Sequence, residues 1–200
     1  MREPPRSLSK AMVDAWLFAR YMIVGLYVGI ATVGGFAYWY IGGYGGEPVP
    51  LLSLMYHHQC GVAADWPAGL GGANCEVFAS LRPRTVALSI LVTIEMLNAL
   101  NALSQNESLL TFGPSKNPWL LGAISLSFAQ HLMILYVPWF NGVFGTEPLS
   151  SAEWQLVAAV SVPVILLDEV LKLISRLRDG PQRIVAAASS LPVAPEEKEV

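Results

Sequence analysis

A long apolar segment with one acidic residue near its centre constrains the fold of this chain more than any other feature. The segment runs from Val86 to Leu103, VALSILVTIEMLNALNAL, and its length of about 18 residues suffices for a transmembrane helix. Its only formal charge is Glu95, which lies roughly 14 Å from the start of the segment if the segment is helical. A charged carboxylate at that depth costs at least about 2.5 kcal/mol on insertion scales. Glu95 is therefore the first candidate for a functional residue.

The composition predicts an all-α membrane protein. Of the 200 residues, 54% are hydrophobic and only 14% are charged, whereas soluble domains carry about 25% charged residues. The net charge of −3 gives no indication of a nucleic-acid partner. The polar start of the chain, followed by a first apolar run of more than about 20 residues, argues against a cleavable signal peptide. We predict four transmembrane helices, at about Trp16–Ile41, Val86–Leu103, Trp119–Val137 and Trp154–Ile174.

The distribution of lysine and arginine predicts the orientation of these helices. Basic residues flank the first and last spans, and an even number of spans places both termini on one side, which the positive-inside rule makes the cytosol. The long loop Gly42–Arg84 is then lumenal or extracellular. The predicted organisation is a cytosolic flank over 1–15, a four-helix membrane domain over 16–180 and a disordered cytosolic tail over 181–200.

Both cysteines of the chain, Cys60 and Cys75, fall in this long loop. A disulfide between them would close a loop of about 15 residues and stabilise the protein by about 3 kcal/mol. Two alternatives remain open. One is a metal site that includes His57 and His58, although the spacing matches no standard zinc pattern. The other is a pair of free thiols.

Small residues in the first predicted span favour close helix packing. Gly25 and Gly29 form a GxxxG pair, and Gly34 and Gly35 follow. Small residues four apart let a second helix approach closely. The partner of this face need not belong to this chain.

Glu95 shares a helix face with Asn98, which lies three residues further on. An acid within a membrane serves as a cation ligand, a proton relay or a counter-ion to a basic residue. The other three spans have no lysine or arginine deep inside them, so the chain offers no counter-ion of its own. The remaining alternative is a protonated glutamate that makes a hydrogen bond between helices.

Other polar residues of the spans have structural interpretations. Arg20 is expected to extend to the cytosolic interface as a topology anchor. Asp168 and Lys172 are four residues apart and predict an ion pair at the interface. His131 predicts an interhelical hydrogen bond, and Pro163 predicts a kink with a freed carbonyl.

Several segments resemble the C-terminal membrane region of sarco/endoplasmic-reticulum-type calcium ATPases, which are P-type ion pumps. The resemblance covers about residues 4 to 180. Its most specific part is RPRTVALSILVTIEMLNALNALSQNESLL, from Arg82 to Leu110. The other segments that carry it are Trp16–Gly35, the loop with Gln59-Cys60 and Cys75-Glu76, Trp119–Val137 and Val162–Arg176.

The resemblance implies a role for each part. The four spans would be the seventh to tenth helices of the pump, and Glu95 would be a side-chain ligand of one of two Ca²⁺ sites, with the other ligands on helices outside this chain. It implies a lumenal Cys60–Cys75 disulfide and packing of Gly25 and Gly29 against the long fifth helix. The implied partners are the remaining helices and cytosolic domains of the pump and the lipid bilayer. The implied location is the endoplasmic or sarcoplasmic reticulum membrane, where the pump moves calcium from cytosol to lumen.

The sequence departs from the family in ways that limit these expectations. The DKTG motif with its phosphorylated aspartate, the nucleotide-binding domain and the actuator domain do not occur in it, so ATP and Mg²⁺ are expected only in the full-length pump. The loop between the cysteines is richer in Gly and Ala than in the family, and Gln130 is atypical. An alternative is a stand-alone scaffold or regulator that associates with full-length pumps. An upstream reading frame that encodes the phosphorylation motif would distinguish the two.

Overall fold

The regular secondary structure of the described residues is helical. The computed structural model describes residues 15–57, 75–102 and 117–189, with side-chain surroundings up to residue 178, and these ranges contain no strand. A short 3-10 helix, Cys75–Ala79, precedes the third α-helix. The α-helices are α1 (Ala15–Ile41), α2 (Leu51–Met55), α3 (Arg82–Ala102), α4 (Pro118–Tyr136), α5 (Pro138–Phe144), α6 (Ser151–Ser161) and α7 (Pro163–Ser189).

Three of these helices, α1, α3 and α4, are long and apolar enough to cross a membrane. They coincide with the first three predicted spans apart from a few residues at their ends. Length and uniform apolarity identified them because a membrane helix needs about 20 apolar residues.

The fourth predicted span is divided between two helices. α6 ends at Ser161 and α7 begins at Pro163, where the proline has no N–H group to continue the helical hydrogen bonds. The hydroxyl of Tyr27 on α1 donates a 2.6 Å hydrogen bond to the carbonyl of Val160 beside this break. The fourth membrane crossing and the sidedness of the chain remain predictions. α7 continues to Ser189, into the segment 181–200 for which the sequence analysis predicts disorder.

The core lies where α3 packs against α1. Val86, Ile90 and Ile94 are fully buried, and their spacing of four residues places them along one side of α3. An ideal Cβ atom on Gly35 would lie 2.1 Å from Cδ1 of Ile90. A side chain at position 35 would therefore displace the end of the Ile90 side chain, and α1 and α3 approach each other closely at Gly35.

The opposite side of α1 has no covering within the described residues. Phe18, Leu26, Ile30 and Val33 are each at least 60% exposed. Apolar side chains need no protein cover in lipid, and they also suit contact with further helices. This face is available to the bilayer or to another part of a larger protein.

Candidate functional site

Glu95 lies on the outer surface of α3, in a helix that is long and apolar enough to cross a membrane. The preceding residue, Ile94, is fully buried, so the helix turns its apolar side inward and the carboxylate outward. Within the described residues, no group of three or more His, Cys, Asp or Glu side chains is close enough together to hold a metal ion. In the described part of the chain, Glu95 therefore does not belong to a cluster of such metal-binding side chains.

Asn98, the residue predicted to share a face with Glu95, is half-buried and lines a cavity of about 250 Å³. The cavity separates the first half of α1 from the second half of α3. Its polar wall consists of Arg20, Asn98, Asn101 and Asp168. The side-chain amide of Asn101 is buried without a hydrogen-bond partner, so this wall contains polar groups that the described residues leave unsatisfied.

A buried ion-pair network lies at the end of the bundle that contains this cavity. Oδ1 of Asp168 accepts a hydrogen bond from Nη2 of Arg20 at 2.5 Å, and Oδ2 lies 2.9 Å from Nζ of Lys172. The side chain of Lys172 is fully buried and that of Arg20 is only 14% exposed. The predicted pair between Asp168 and Lys172 is confirmed. α1 and α3 cover the pair, and Arg20 contacts Asp168 as well. Its position at the membrane interface remains a prediction.

Lys172 also reaches α3. Its ammonium group donates a 3.0 Å hydrogen bond to the main-chain carbonyl of Asn101, one residue before α3 ends at Ala102. The last four carbonyls of a helix have no partner within it, and a cation interacts favourably with them. This network therefore joins α1, α3 and α7. We call it the Arg20 network, comprising Arg20, Asp168, Lys172 and the Asn101 carbonyl.

His131 makes the interhelical hydrogen bond that the sequence predicts. Its Nε2 lies 3.0 Å from Oγ of Ser89 on α3, and the imidazole is almost completely buried. Phe128 and Trp154 contact the ring at centroid distances of 6.3 and 6.4 Å. Gln130, the neighbouring residue, is exposed. The histidine therefore ties α4 to α3.

The opposite end of the bundle contains a carboxylate that the sequence analysis did not single out. Glu153 is 1% exposed, and its Oε1 accepts a 2.6 Å hydrogen bond from Nε1 of Trp39. Its Oε2 accepts hydrogen bonds from the backbone N–H and the hydroxyl of Ser150, at 2.7 and 2.8 Å. Ser150 and Glu153 form a capping box at the start of α6. The S-x-x-E pattern before an apolar run is the sequence signal that indicates it.

The predicted cysteine and glycine sites are only partly described. Cys75 begins the 3-10 helix, whereas Cys60 and His58 lie outside the described residues, so the disulfide remains a prediction. An added Cβ on Gly25 or Gly29 would meet nothing within 4 Å. Their packing against another helix also remains a prediction.

Comparison with known protein families shows which family the sequence matches. A family model described as "Cation transporting ATPase, C-terminus" matches residues 1–174. The match includes α1, α3 and α4, the carboxylate of Glu95 and the Arg20 network.

Proposed function

Because the chain belongs to the family of the cation-transporting ATPase C-terminus, we propose that it is the C-terminal membrane region of an ATP-driven calcium pump. In this proposal Glu95 provides one side-chain ligand for Ca²⁺, which the pump moves from the cytosol to the lumen of the endoplasmic reticulum. The chain itself supplies the ligand and a membrane scaffold. ATP hydrolysis belongs to the other domains of the pump.

The observation that carries the proposal is the outward position of Glu95 in α3. Ca²⁺ takes six to eight oxygen ligands, often with carboxylates among them. One carboxylate provides at most two oxygens, and within the described residues no group of three or more His, Cys, Asp or Glu side chains could hold a metal ion. This is consistent with further ligands from other helices of the pump. An acid that faces out of this bundle, in a helix long enough to span a membrane, suits a site shared with further helices.

The uncovered side of α1 supports the same arrangement. Gly25 and Gly29 leave open space on this helix, and large apolar side chains such as Leu26 and Ile30 are about 65% exposed beside them. Small residues four apart favour close helix contact in membranes. We assign this face to contact with another helix of the pump.

Protonation of Glu95 completes the proposed cycle. The carboxylate binds Ca²⁺ when it is deprotonated, and it carries a proton back after the cation has left. A neutral glutamate is far less costly inside a membrane than an unpaired charge. The same residue thus serves both directions of exchange.

The test is Glu95→Gln in the complete pump that carries this region. Glutamine keeps the size of the side chain but removes its charge, so the Ca²⁺ concentration for half-maximal transport should rise by about tenfold or more, as expected for a lost charge-assisted contact. Glu47→Gln is the matched control, because Glu47 is exposed outside the helices and should leave the Ca²⁺ dependence unchanged. An unchanged dependence in Glu95→Gln would refute the ligand role.

A further inference from the structure

We propose that Lys172 is a positioning residue for Glu95. Its ammonium group is fixed by Asp168, which Arg20 binds in turn. The ammonium group prevents the second half of α3 from sliding along its axis or rotating about it, and so fixes the position of the Glu95 carboxylate. This inference rests on the proposed role of Glu95 as a cation ligand.

The packing of α3 changes at Ile94. Before this residue, the side of α3 facing the bundle is fully buried against its neighbours, with Val86, Ser89, Ile90 and Ile94 all at 0% exposure. After it, residues 95–100 are half-buried or exposed, and Asn101 is the only buried residue in that half of the helix. Glu95 stands at the boundary between a tightly packed half of the helix and a loosely packed half.

A cavity accounts for the loose packing. The space of about 250 Å³ lies between α1 and the residues Asn98, Asn101 and Ala102 of α3. Side chains that border a cavity lose packing contacts on that side. The second half of α3 therefore depends more on polar contacts for its position than the first half does.

Lys172 supplies the polar contact at the end of this loose half. Its Nζ donates to the Asn101 carbonyl at 3.0 Å, and a main-chain contact fixes the helix itself rather than one mobile side chain. The side chain is completely buried, with Asp168 Oδ2 2.9 Å from Nζ, and Arg20 binds the other oxygen of Asp168. Burial and a charged partner leave the ammonium group little freedom to move.

The contact lies close enough to Glu95 to control its position. Asn101 follows Glu95 by six residues, which corresponds to about 9 Å along a helix. Over less than two turns a helix transmits a shift or rotation almost unchanged. Metal–ligand distances in proteins hold to within about 0.2 Å. A small displacement at the Asn101 carbonyl would therefore weaken binding at Glu95, although Lys172 does not touch the cation.

The experiment is Lys172→Met in the complete pump, since methionine fills a similar space without the charge. We expect the Ca²⁺ concentration for half-maximal transport to rise about fivefold, with at least about half of the maximal rate retained at saturating Ca²⁺. Lys172→Arg, which keeps a buried cation, should restore part of the affinity. The matched control is Arg176→Met, one turn along α7, where the side chain is exposed and its loss should leave Ca²⁺ affinity unchanged. A fall in maximal rate without any change in Ca²⁺ affinity would overturn the proposal.

A double variant separates this proposal from the ligand role of Glu95. If Lys172 acts through Glu95, Lys172→Met should lower Ca²⁺ affinity no further in a Glu95→Gln background. An additive loss would overturn the positioning role, and so would a normal affinity in Lys172→Met when Glu95→Gln alone is impaired. No effect of Glu95→Gln would instead refute the proposed function.

If Lys172→Met does not fold, Asp168→Asn provides the second variant, because it keeps the side-chain shape and weakens the ion pair with Lys172. An unchanged Ca²⁺ affinity in Asp168→Asn would equally overturn the proposal.

Discussion

The indole N–H of Trp39 donates a hydrogen bond to Oε1 of Glu153 over 2.6 Å, although 114 residues separate them along the chain. Both side chains are 1% exposed. The bond joins the end of α1 to the capping box that starts α6. Both oxygens of this buried carboxylate have donors, which is the condition under which a buried charge is tolerated.

We predict that Trp39→Phe destabilises the protein. Phenylalanine keeps an aromatic ring but has no N–H group, so the buried Oε1 of Glu153 loses its donor. Leaving such a group unsatisfied costs about 1–3 kcal/mol. The midpoint of thermal unfolding in detergent should fall accordingly.

Trp154→Phe is the control for this prediction. Trp154 also donates through its indole nitrogen, to the hydroxyl of Tyr136 at 2.8 Å, but this bond is exposed. Water can take over this hydrogen bond in the Trp154→Phe variant, so a much smaller decrease in the unfolding midpoint is expected. Equal decreases in the unfolding midpoint of the two variants would show that the burial of Glu153 does not increase the cost of losing its hydrogen bond.

Gly35→Ala should also destabilise the bundle, because the new Cβ would meet Cδ1 of Ile90 at 2.1 Å. Ile90 is completely buried and can move only by disturbing its neighbours. Overpacking of this kind costs about 1–3 kcal/mol. The decrease should be visible as a lower free energy of unfolding by denaturant in detergent.

Two further variants test the mechanism of that effect. Gly34→Ala places a Cβ where nothing lies within 4 Å, so the better helix propensity of alanine should leave stability equal or slightly higher. Ile90→Val removes the Cδ1 atom that the new Cβ would meet, and it should recover most of the loss when combined with Gly35→Ala. A Gly35→Ala variant as stable as Gly34→Ala would contradict the close crossing of α1 and α3.

The pairing of Cys60 with Cys75 can be tested directly. If the predicted disulfide is present, a maleimide reagent should label the unfolded protein only after reduction, because a bridged sulfur does not react with maleimide. A Cys60→Ser variant should be labelled at Cys75 without reduction. Equal labelling of the unaltered protein before and after reduction would exclude the bridge and leave free thiols or a metal site as the alternatives.

The helices that could be predicted from the sequence are those whose signal is local. α1, α3 and α4 follow from length and apolarity alone, and the hydrogen bond of His131 follows from the cost of an unpaired imidazole among apolar side chains. The break between α6 and α7 also has a local signal, because the missing N–H group is a property of Pro163 alone.

The contacts between distant segments could not be predicted in the same way. Lysine and arginine near a span end usually extend to the interface, and nothing local indicated that α1 and α3 would cover Lys172. Likewise, the GxxxG pattern assigned close packing to Gly25 and Gly29, whereas Gly35 is the glycine of α1 whose added Cβ would meet a side chain of α3. Which face of one helix meets which face of another depends on the packing of the whole bundle. Glu153 is an intermediate case, because its capping box was visible in the sequence whereas its bond to Trp39 was not.

The pairing of Arg20 with Asp168 has a consequence for biosynthesis. Asp168 follows Arg20 by 148 residues, which a ribosome needs about 7 to 30 s to add at its usual speed. During that interval Arg20 lacks the Asp168 carboxylate with which it pairs in the folded structure. The contact between α1 and α7 through Arg20 and Asp168 therefore forms only after α7 has been synthesised, and slower translation of the residues before α7 would delay it.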